Sequence, residues 1–298
     1  GLTSSIAMTH TPSEKFPQIR VFGSIGWFAS GIFGLVALKM FGTKIDGTTI
    51  PLYCGAATSL LGAIVALVLP NTPPPAKGQP ASIIDALGLR SMSLLKDFNF
   101  SLFIVITLLV MIPFSAYWSY FSIFLADKGF ELYAGTMNWG QFVEMFVMVL
   151  VPIVLVRIGL KWTMTIGLVA LVIRYLFFWL GGIQDQHWMI YGGILVHGVI
   201  YSFFFVGGQI YVDKCATKEI RAQAQGLMFL LSFGLGLLIG NFISGNLIEH
   251  YTSQTGAHDW SSIWRIMTLI STGLLVLFVA AFHYKENGKE QSASGPSG

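Results

Sequence analysis

The sequence predicts an all-α protein that crosses a membrane several times. Of its 298 residues, 54% are hydrophobic and only 10% are charged, whereas soluble domains carry about 25% charged residues. Apolar runs of about 20 residues, the length that a membrane-spanning helix needs, recur along the chain. They are too long for strands, which average about five or six residues. Lipid is therefore the expected solvent for most of the surface.

Eight complete spans and the end of a further helix are expected. The remnant runs from Gly1 to about Thr9. The complete spans are residues 19–40, 51–69, 99–125, 137–156, 162–181, 188–211, 223–247 and 263–283. Small residues spaced by four within them, such as Gly236 and Gly240 or Gly26 and Ser30, indicate close helix packing.

The connection at residues 71–97 differs from the others. It is rich in proline and polar residues, which favour extended, water-exposed backbone. Its later part, 83–96, could form a short amphipathic helix on the membrane surface. Two spans precede it and six follow, which is the count for one half of a transporter built as two six-helix bundles.

Four units of the chain are predicted from this division. They are the end of an N-terminal bundle (1–70), a cytoplasmic linker (71–97), a C-terminal six-helix bundle (98–285) and a disordered cytoplasmic tail (286–298). About eight of twelve helices would be present, with four further spans expected upstream.

The basic residues predict an orientation, because cytoplasmic loops carry an excess of Lys and Arg. Placing the 10–18 loop in the cytoplasm puts most of the basic residues on that side: Lys15, Arg20, Lys77, Arg90, Lys96, Arg157, Lys161, Lys214, Lys218, Arg221, Lys285 and Lys289. The opposite side receives Lys39, Lys44, Lys128 and Arg265. The C-terminus is therefore expected in the cytoplasm.

No cofactor, no metal and no nucleic-acid partner is expected. Cys54 and Cys215 are far apart and form no metal-binding spacing. The histidines are scattered through different loops and helices, which disfavours a membrane enzyme with a clustered site. The net charge of +3 is small, so nothing indicates nucleic-acid binding.

Polar side chains inside the apolar runs are the candidate functional residues, because ionisable groups at membrane depth are costly and usually face the protein interior or a water-filled path. Gln141 and Glu144 are three residues apart, on one helical face. A partner for Glu144 must come from another helix. Arg174 could pair with such a carboxylate or line a cavity.

Two further groups of polar and aromatic residues lie in the spans. His197 and Tyr201 are four residues apart, and the histidine is interpreted as a satisfied interior residue or a titrating group. In the 99–125 span, Pro113 and Ser115 precede Tyr117 and Trp118 and could bend the helix. A binding site and an interfacial aromatic belt both fit this pattern.

Four sequence blocks resemble the nucleoside:proton symporter family of the major facilitator superfamily. They are FPQIRVFGSIGW, GQFVEMF, HGVIYSFFFVGGQIYVDK and IRAQAQGLMFLLSFGLGLLIGNFISG, in the family's order and spacing. The resemblance implies the twelve-helix major facilitator fold, in a bacterial cytoplasmic (inner) membrane. It further implies import of nucleosides with protons by alternating access.

The resemblance also implies binding residues. Arg20, Ser24 and Trp27 would line the N-terminal side of the cavity. Gln141 and Glu144 would hydrogen-bond the base or ribose, Tyr201 would stack on the base, and Ser115 and Trp118 take the seventh-helix positions. Many members carry Asp where this chain has Ser202, which leaves Glu144 as the expected proton-coupling group.

Other functions stay open at this point. The solute could be a sugar or another polar metabolite, or the protein could be a membrane receptor that does not transport. The expected partners are a nucleoside, protons and membrane lipid, and the protein is expected to be monomeric.

Overall fold

The described part of the computed structural model, residues 2–42, 48–70, 72, 89–130 and 133–284, consists of helices and their loops. The long helices are α1 (Leu2–His10), α2 (Phe16–Phe41), α3 (Ile50–Ala66), α4 (Phe98–Asp127), α5 (Tyr133–Gln184), α6 (His187–Cys215), α7 (Arg221–His250) and α8 (Trp260–Ala281). Short 3-10 helices occupy Ser13–Lys15 and Leu89–Lys96.

Every span that the sequence predicts lies on a helix. Within the described residues, five helices are long and apolar enough to cross a membrane, namely α4 to α8, and α3 is a shorter apolar helix. The spans 137–156 and 162–181 share α5, which is broken at Gly159 by a backbone conformation of φ 75° and ψ 171°. Glycine adopts positive φ without a steric penalty from Cβ, so the chain can reverse there.

Several predicted features lie outside the described residues. These are most of the linker 71–97 and the whole of the tail 286–298. The surface helix predicted at 83–96 is described only in its second half, where Leu89–Lys96 forms a 3-10 helix.

α5 is the helix on which the bundle is organised, since α2, α6 and α8 all pack against it. Phe121, Phe178 and Trp264 join α4, α5 and α8 through ring contacts of 4.2–6.1 Å. The glycines of α7 pack against α4, as the sequence predicts: a Cβ on Gly240 would lie 2.5 Å from the carbonyl oxygen of Met111. The packing predicted at Gly26 is not observed, because no described atom approaches the position of its Cβ within 4 Å.

Pro113 lies inside α4, and the backbone carbonyls beside it accept hydrogen bonds from side-chain hydroxyls. The carbonyl of Ile112 accepts hydrogen bonds from Ser115 Oγ (2.9 Å) and from Ser244 Oγ on α7 (3.1 Å), and the Pro113 carbonyl accepts the Tyr175 hydroxyl. Because Ser244 and Tyr175 belong to other helices, these hydrogen bonds connect α4 with α7 and α5.

Two helices widen into π-helical turns that each contribute a side chain to one cavity. These turns are Ile200–Val206 in α6 and Leu230–Gly236 in α7. π-helical segments of this length re-aim side chains and occur frequently at functional sites. Tyr201 and Phe233, one from each turn, both point into the cavity described next.

Candidate functional site

A cavity of about 90 Å³ lies where α2 meets α4, α5, α6 and α7. Since one water needs roughly 10–15 Å³ of such space, it has room for several water molecules. The residues that line it are Arg20, Gly23, Ser24, Trp27, Trp118, Gln141, Glu144, His197, Tyr201 and Phe233. Charged, amide and aromatic side chains therefore converge on one small space.

One face of α2 supplies the first wall. Arg20, Ser24 and Trp27 are spaced by four and three residues, which places them side by side on a helix. Gly23 belongs to the same wall: a Cβ there would lie 2.4 Å from a terminal nitrogen of Arg20. The absence of a side chain at Gly23 thus leaves room for the guanidinium group.

Three contacts join this wall to the helices opposite. Arg20 donates a hydrogen bond of 2.7 Å to the Tyr201 hydroxyl. Ser24 Oγ donates to Glu144 Oε1 over 2.5 Å. The rings of Trp27 and Trp118 lie 5.3 Å apart. The partner that the sequence requires for Glu144 from another helix is therefore Ser24.

Glu144 is buried, with 4% of its surface exposed, and it has a second neighbour, His197, in the cavity wall. Its Oε2 lies 3.7 Å from His197 Nε2. The other ring nitrogen, Nδ1, lies 2.7 Å from a terminal nitrogen of Arg174. A line of polar groups thus runs from Ser24 through Glu144 and His197 to Arg174.

Arg174 does not take the place that the sequence predicts. It lies neither against a carboxylate nor in the cavity wall, since its partners are His197 Nδ1, the Gly193 carbonyl (3.3 Å) and the face of the Tyr117 ring (4.1 Å). The sequence could not reveal this, because all these partners come from other parts of the fold.

Close helix approach holds the two sides of the site together. A Cβ on Gly198 would lie 2.5 Å from the backbone nitrogen of Glu144, and one on Gly140 would lie 2.9 Å from His197 Cβ. Glycine at both positions lets α5 and α6 come into backbone contact. The distance between Glu144 and His197 depends on this contact.

The structure brings together all but one of the residues predicted for the site. Arg20, Ser24, Trp27, Trp118, Gln141, Glu144 and Tyr201 line the cavity, whereas Ser115 does not. The Ser115 hydroxyl faces α7 instead, 3.4 Å from Ser244 Oγ, where Gly240 leaves space for it. Ser202 is fully buried beside the site, and its hydroxyl has no hydrogen-bond partner among the described residues.

His197, Gly23 and Phe233 line the cavity without having been predicted for it. The sequence signal for His197 was its spacing of four residues before Tyr201, which places both on one face of α6. No comparable signal marks Phe233, one of many aromatics in its helix. Among the described residues, no group of three or more His, Cys, Asp or Glu side chains is placed to bind a metal ion.

Comparison with known proteins gives consistent matches. A family model described as Nucleoside H+ symporter matches residues 1–287. YegT of Escherichia coli (strain K12), provisionally described as a nucleoside transporter, is 36% identical over 96% of this chain and 70% of its own length. Nucleoside permease NupG of the same organism is 29% identical over 91% of this chain and 66% of its own length. Xanthosine permease, also from that organism, is 27% identical over 93% of this chain and 67% of its own length.

Solved structures agree with these matches. Crystal structures of nucleoside transporter NupG superpose with TM-scores of 0.72, for a substituted form, and 0.65. They share 27% and 26% sequence identity, and the alignments cover 90% and 94% of this chain and 68% and 72% of the solved chains. The chain thus spans about two thirds of the length of most relatives that it matches.

These comparisons confirm the major facilitator type of fold and a transporter rather than an enzyme. Together with the apolar helices, they make the chain part of an integral membrane protein. The resemblance of the four sequence blocks is confirmed by the match over almost the whole chain, and the chain belongs to the Nucleoside H+ symporter family.

Proposed function

We propose that the protein imports nucleosides across the bacterial cytoplasmic membrane together with protons, by alternating access. Residues 1–70 contribute to one helix bundle and residues 98–285 form the other, with the linker 71–97, the tail and the C-terminus in the cytoplasm. The protein works as a monomer in lipid, and its partners are the nucleoside and protons.

The observation that carries the proposal is the set of cavity contacts between α2 and the helices opposite. A nucleoside offers an aromatic base and a ribose with hydroxyl groups, and it carries no net charge. Tyr201, Trp27 and Trp118 provide aromatic faces, while Arg20, Gln141 and Glu144 provide hydrogen-bonding groups. The chemistry of the cavity therefore complements both parts of the ligand.

Tyr201 is the proposed stacking surface for the base. Base–aromatic stacking contributes about 1–3 kcal/mol per base and tolerates different bases. Arg20 and Gln141, on opposite walls, are placed to bond the edge of the base or the ribose. Trp27 and Trp118 close the cavity above them, with their rings 5.3 Å apart.

Glu144 is the proposed site of the coupled proton. As a carboxylate it accepts the hydrogen bond of Ser24, which ties α2 to α5. A protonated carboxyl group is a weaker acceptor, because hydrogen bonds to charged groups are about twice as strong as neutral ones. Proton uptake therefore loosens this tie, while the nucleoside replaces the contacts that Arg20 and Tyr201 make with each other.

The energy of the gradient sets what an assay should detect. One charge moving through 100 mV releases about 2.3 kcal/mol, which corresponds to about fifty-fold accumulation of a neutral solute at one proton per nucleoside. Proteoliposomes containing the whole protein should accumulate labelled uridine or adenosine when the lumen is negative and alkaline. Wild-type protein that shows no gradient-dependent nucleoside uptake would refute the proposed function.

A substitution at Glu144 separates coupling from binding. Glu144→Gln keeps the hydrogen-bonding shape but cannot exchange a proton, so gradient-driven accumulation should fall to the level of empty vesicles. Counterflow of labelled against unlabelled nucleoside, which needs no net proton movement, should persist. Glu249→Gln, at the exposed end of α7, is the matched control and should behave as wild type. Normal accumulation by Glu144→Gln would remove the coupling role alone.

A further inference from the structure

Arg174 is a fully buried cation of α5 that the proposed transport cycle does not use. None of its surface is exposed, and none of the ion pairs found among the described residues includes it. A buried charge normally needs a partner. The side chain nearest to the Arg174 charge is the His197 ring, whose Nδ1 lies 2.7 Å from a guanidinium nitrogen.

This contact determines which ring nitrogen of His197 carries the proton. A guanidinium group only donates hydrogen bonds and keeps its charge in proteins. Nδ1 of His197 must therefore accept, and the neutral ring carries its hydrogen on Nε2. That hydrogen is directed toward the cavity side, where Glu144 Oε2 lies at 3.7 Å. The terminal amide of Gln141 lies 3.4 Å from Nε2 through its nitrogen, and it can accept from Nε2–H only when the amide is turned by 180° to present its oxygen.

The same contact opposes a second proton on the ring. A proton on Nδ1 would set an N–H group against the guanidinium N–H over 2.7 Å and would place two positive charges side by side in a buried site. His197 is thereby kept neutral, although histidine is the residue whose charge most readily changes near neutral pH.

We propose that Arg174 is a positioning residue that acts through His197: it keeps the ring neutral, with Nε2–H directed at Glu144, so that the coupling proton is taken up by Glu144 alone. The inference rests on the proposed function and extends it. It gives the buried cation a role in coupling.

The ionisable groups around the ring come from four helices. The charged and titratable side chains that lie near His197, directly or through one neighbour, are Arg174, Tyr175 and Glu144 on α5, Tyr117 on α4, Tyr201 on α6 itself and Arg20 on α2. Arg174 is in direct contact with Nδ1, and Glu144 lies 3.7 Å from Nε2. These two groups are therefore the charged side chains nearest to the ring nitrogens.

The tautomer can be measured without any substrate. In protein labelled with ¹⁵N-histidine, the His197 resonances are assigned by their loss in His197→Gln. We expect an Nε2–H ring with unprotonated Nδ1 throughout pH 5–8. In Arg174→Gln the ring should gain its second proton at a higher pH than in wild type, because the repulsion by the guanidinium group is removed. Arg174→Lys, which retains a charged donor, should restore the neutral ring.

A wild-type ring that carries its proton on Nδ1, or that becomes charged between pH 5 and 8, would overturn the proposal. This result does not require any variant to fold. It is also independent of nucleosides, so the proposed function can fail while the tautomer is confirmed, and the reverse.

Transport provides the functional test. Because a charged imidazole beside Glu144 favours the ionised carboxylate, protonation of His197 should block proton uptake. Uptake by Arg174→Gln, driven by a constant gradient, should therefore fall in proportion to the neutral fraction of His197, over the pH range in which the NMR titration of the same variant shows the ring becoming charged. This fall in uptake at acid pH is called the acid limb. Wild type and Arg265→Gln, an exposed arginine control on α8, should lack it.

The double variant Arg174→Gln/His197→Gln distinguishes positioning from general damage. Without the imidazole the acid limb should disappear, whatever the absolute rate. An acid limb that persists in the double variant, or its absence in folded Arg174→Gln, would show that Arg174 does not act through His197.

Discussion

Gly198 provides a direct test of the close approach between α5 and α6. In Gly198→Ala the added Cβ would lie 2.5 Å from the backbone nitrogen of Glu144 and 2.7 Å from its Cα. Ordinary carbon contacts lie at about 3.5–4.0 Å, so the helices must separate by roughly 1 Å. Backbone atoms cannot rotate out of the way as a side chain can.

The size of the destabilisation expected for Gly198→Ala is obtained by comparison with a matched substitution. Gly273→Ala on α8 adds the same group where no described atom lies within 4 Å. Both variants gain the preference of alanine for helix, about 0.5–1 kcal/mol, so their difference isolates overpacking, typically about 1–3 kcal/mol. At about 2–4 °C per kcal/mol for a chain somewhat smaller than this one, Gly198→Ala should unfold about 2–10 °C below Gly273→Ala.

The assay is thermal unfolding in one detergent at a single scan rate, because membrane proteins of this size often unfold irreversibly. Tryptophan fluorescence follows the transition. Equal midpoints for the two variants would refute the backbone contact between Gly198 and Glu144. A lower midpoint for Gly273→Ala would contradict the reasoning about open space at α8.

Two further predictions concern the cavity and the loop at the other end of α5. Tyr201→Leu removes the aromatic face and should weaken nucleoside binding by about 5- to 150-fold, the equivalent of 1–3 kcal/mol of stacking. Tyr201→Phe keeps the ring and should lose less binding affinity. Calorimetric titration compares the two affinities, and equal losses of affinity would argue against stacking. Lys128 Nζ lies 2.7 Å from Asp185 Oδ1. The hydrogen bond from Lys128 and the positive charge of Lys128 lower the pKa of Asp185 from its ordinary value of 3.8. The stabilisation of the folded state by this pair is therefore present above the unfolded-state pKa and is lost as the pH falls through the lowered folded-state value. Lys128→Met should raise the pKa of Asp185, which a ¹³C-NMR titration measures. An unchanged pKa would contradict the pairing.

The helices and several of the cavity residues were predictable from local information. Apolar length identifies the spans, and a polar residue within a span identifies itself. Glu144, Gln141 and Tyr201 are visible in this way. In contrast, Ser24, Trp27 and Trp118 were assigned to the cavity only through the resemblance of the sequence to the family. The break at Gly159 also lies between two spans that the sequence separates.

Contacts between distant helices were not predictable in the same way. Arg174 was expected near a carboxylate, but its partner is an imidazole from α6. Ser115 is three residues from Trp118, yet its hydroxyl faces α7, where Gly240 leaves space for it. In both cases the result depends on which helices pack together, and hydrophobic periodicity contains no information about that choice.

The contacts that close the cavity involve the same side chains that are proposed to bind the ligand. Arg20 bonds Tyr201, Ser24 bonds Glu144, and Trp27 packs against Trp118. A nucleoside entering this site must therefore replace internal contacts rather than fill a vacant space, and part of its binding energy goes into separating α2 from the opposite helices. Since a ligand shifts an equilibrium only by its differential affinity for the two states, this replacement is the step at which binding can change the conformation. A proton on Glu144 weakens one contact and the nucleoside displaces the others, which gives a physical reason for both to be required before the two halves move.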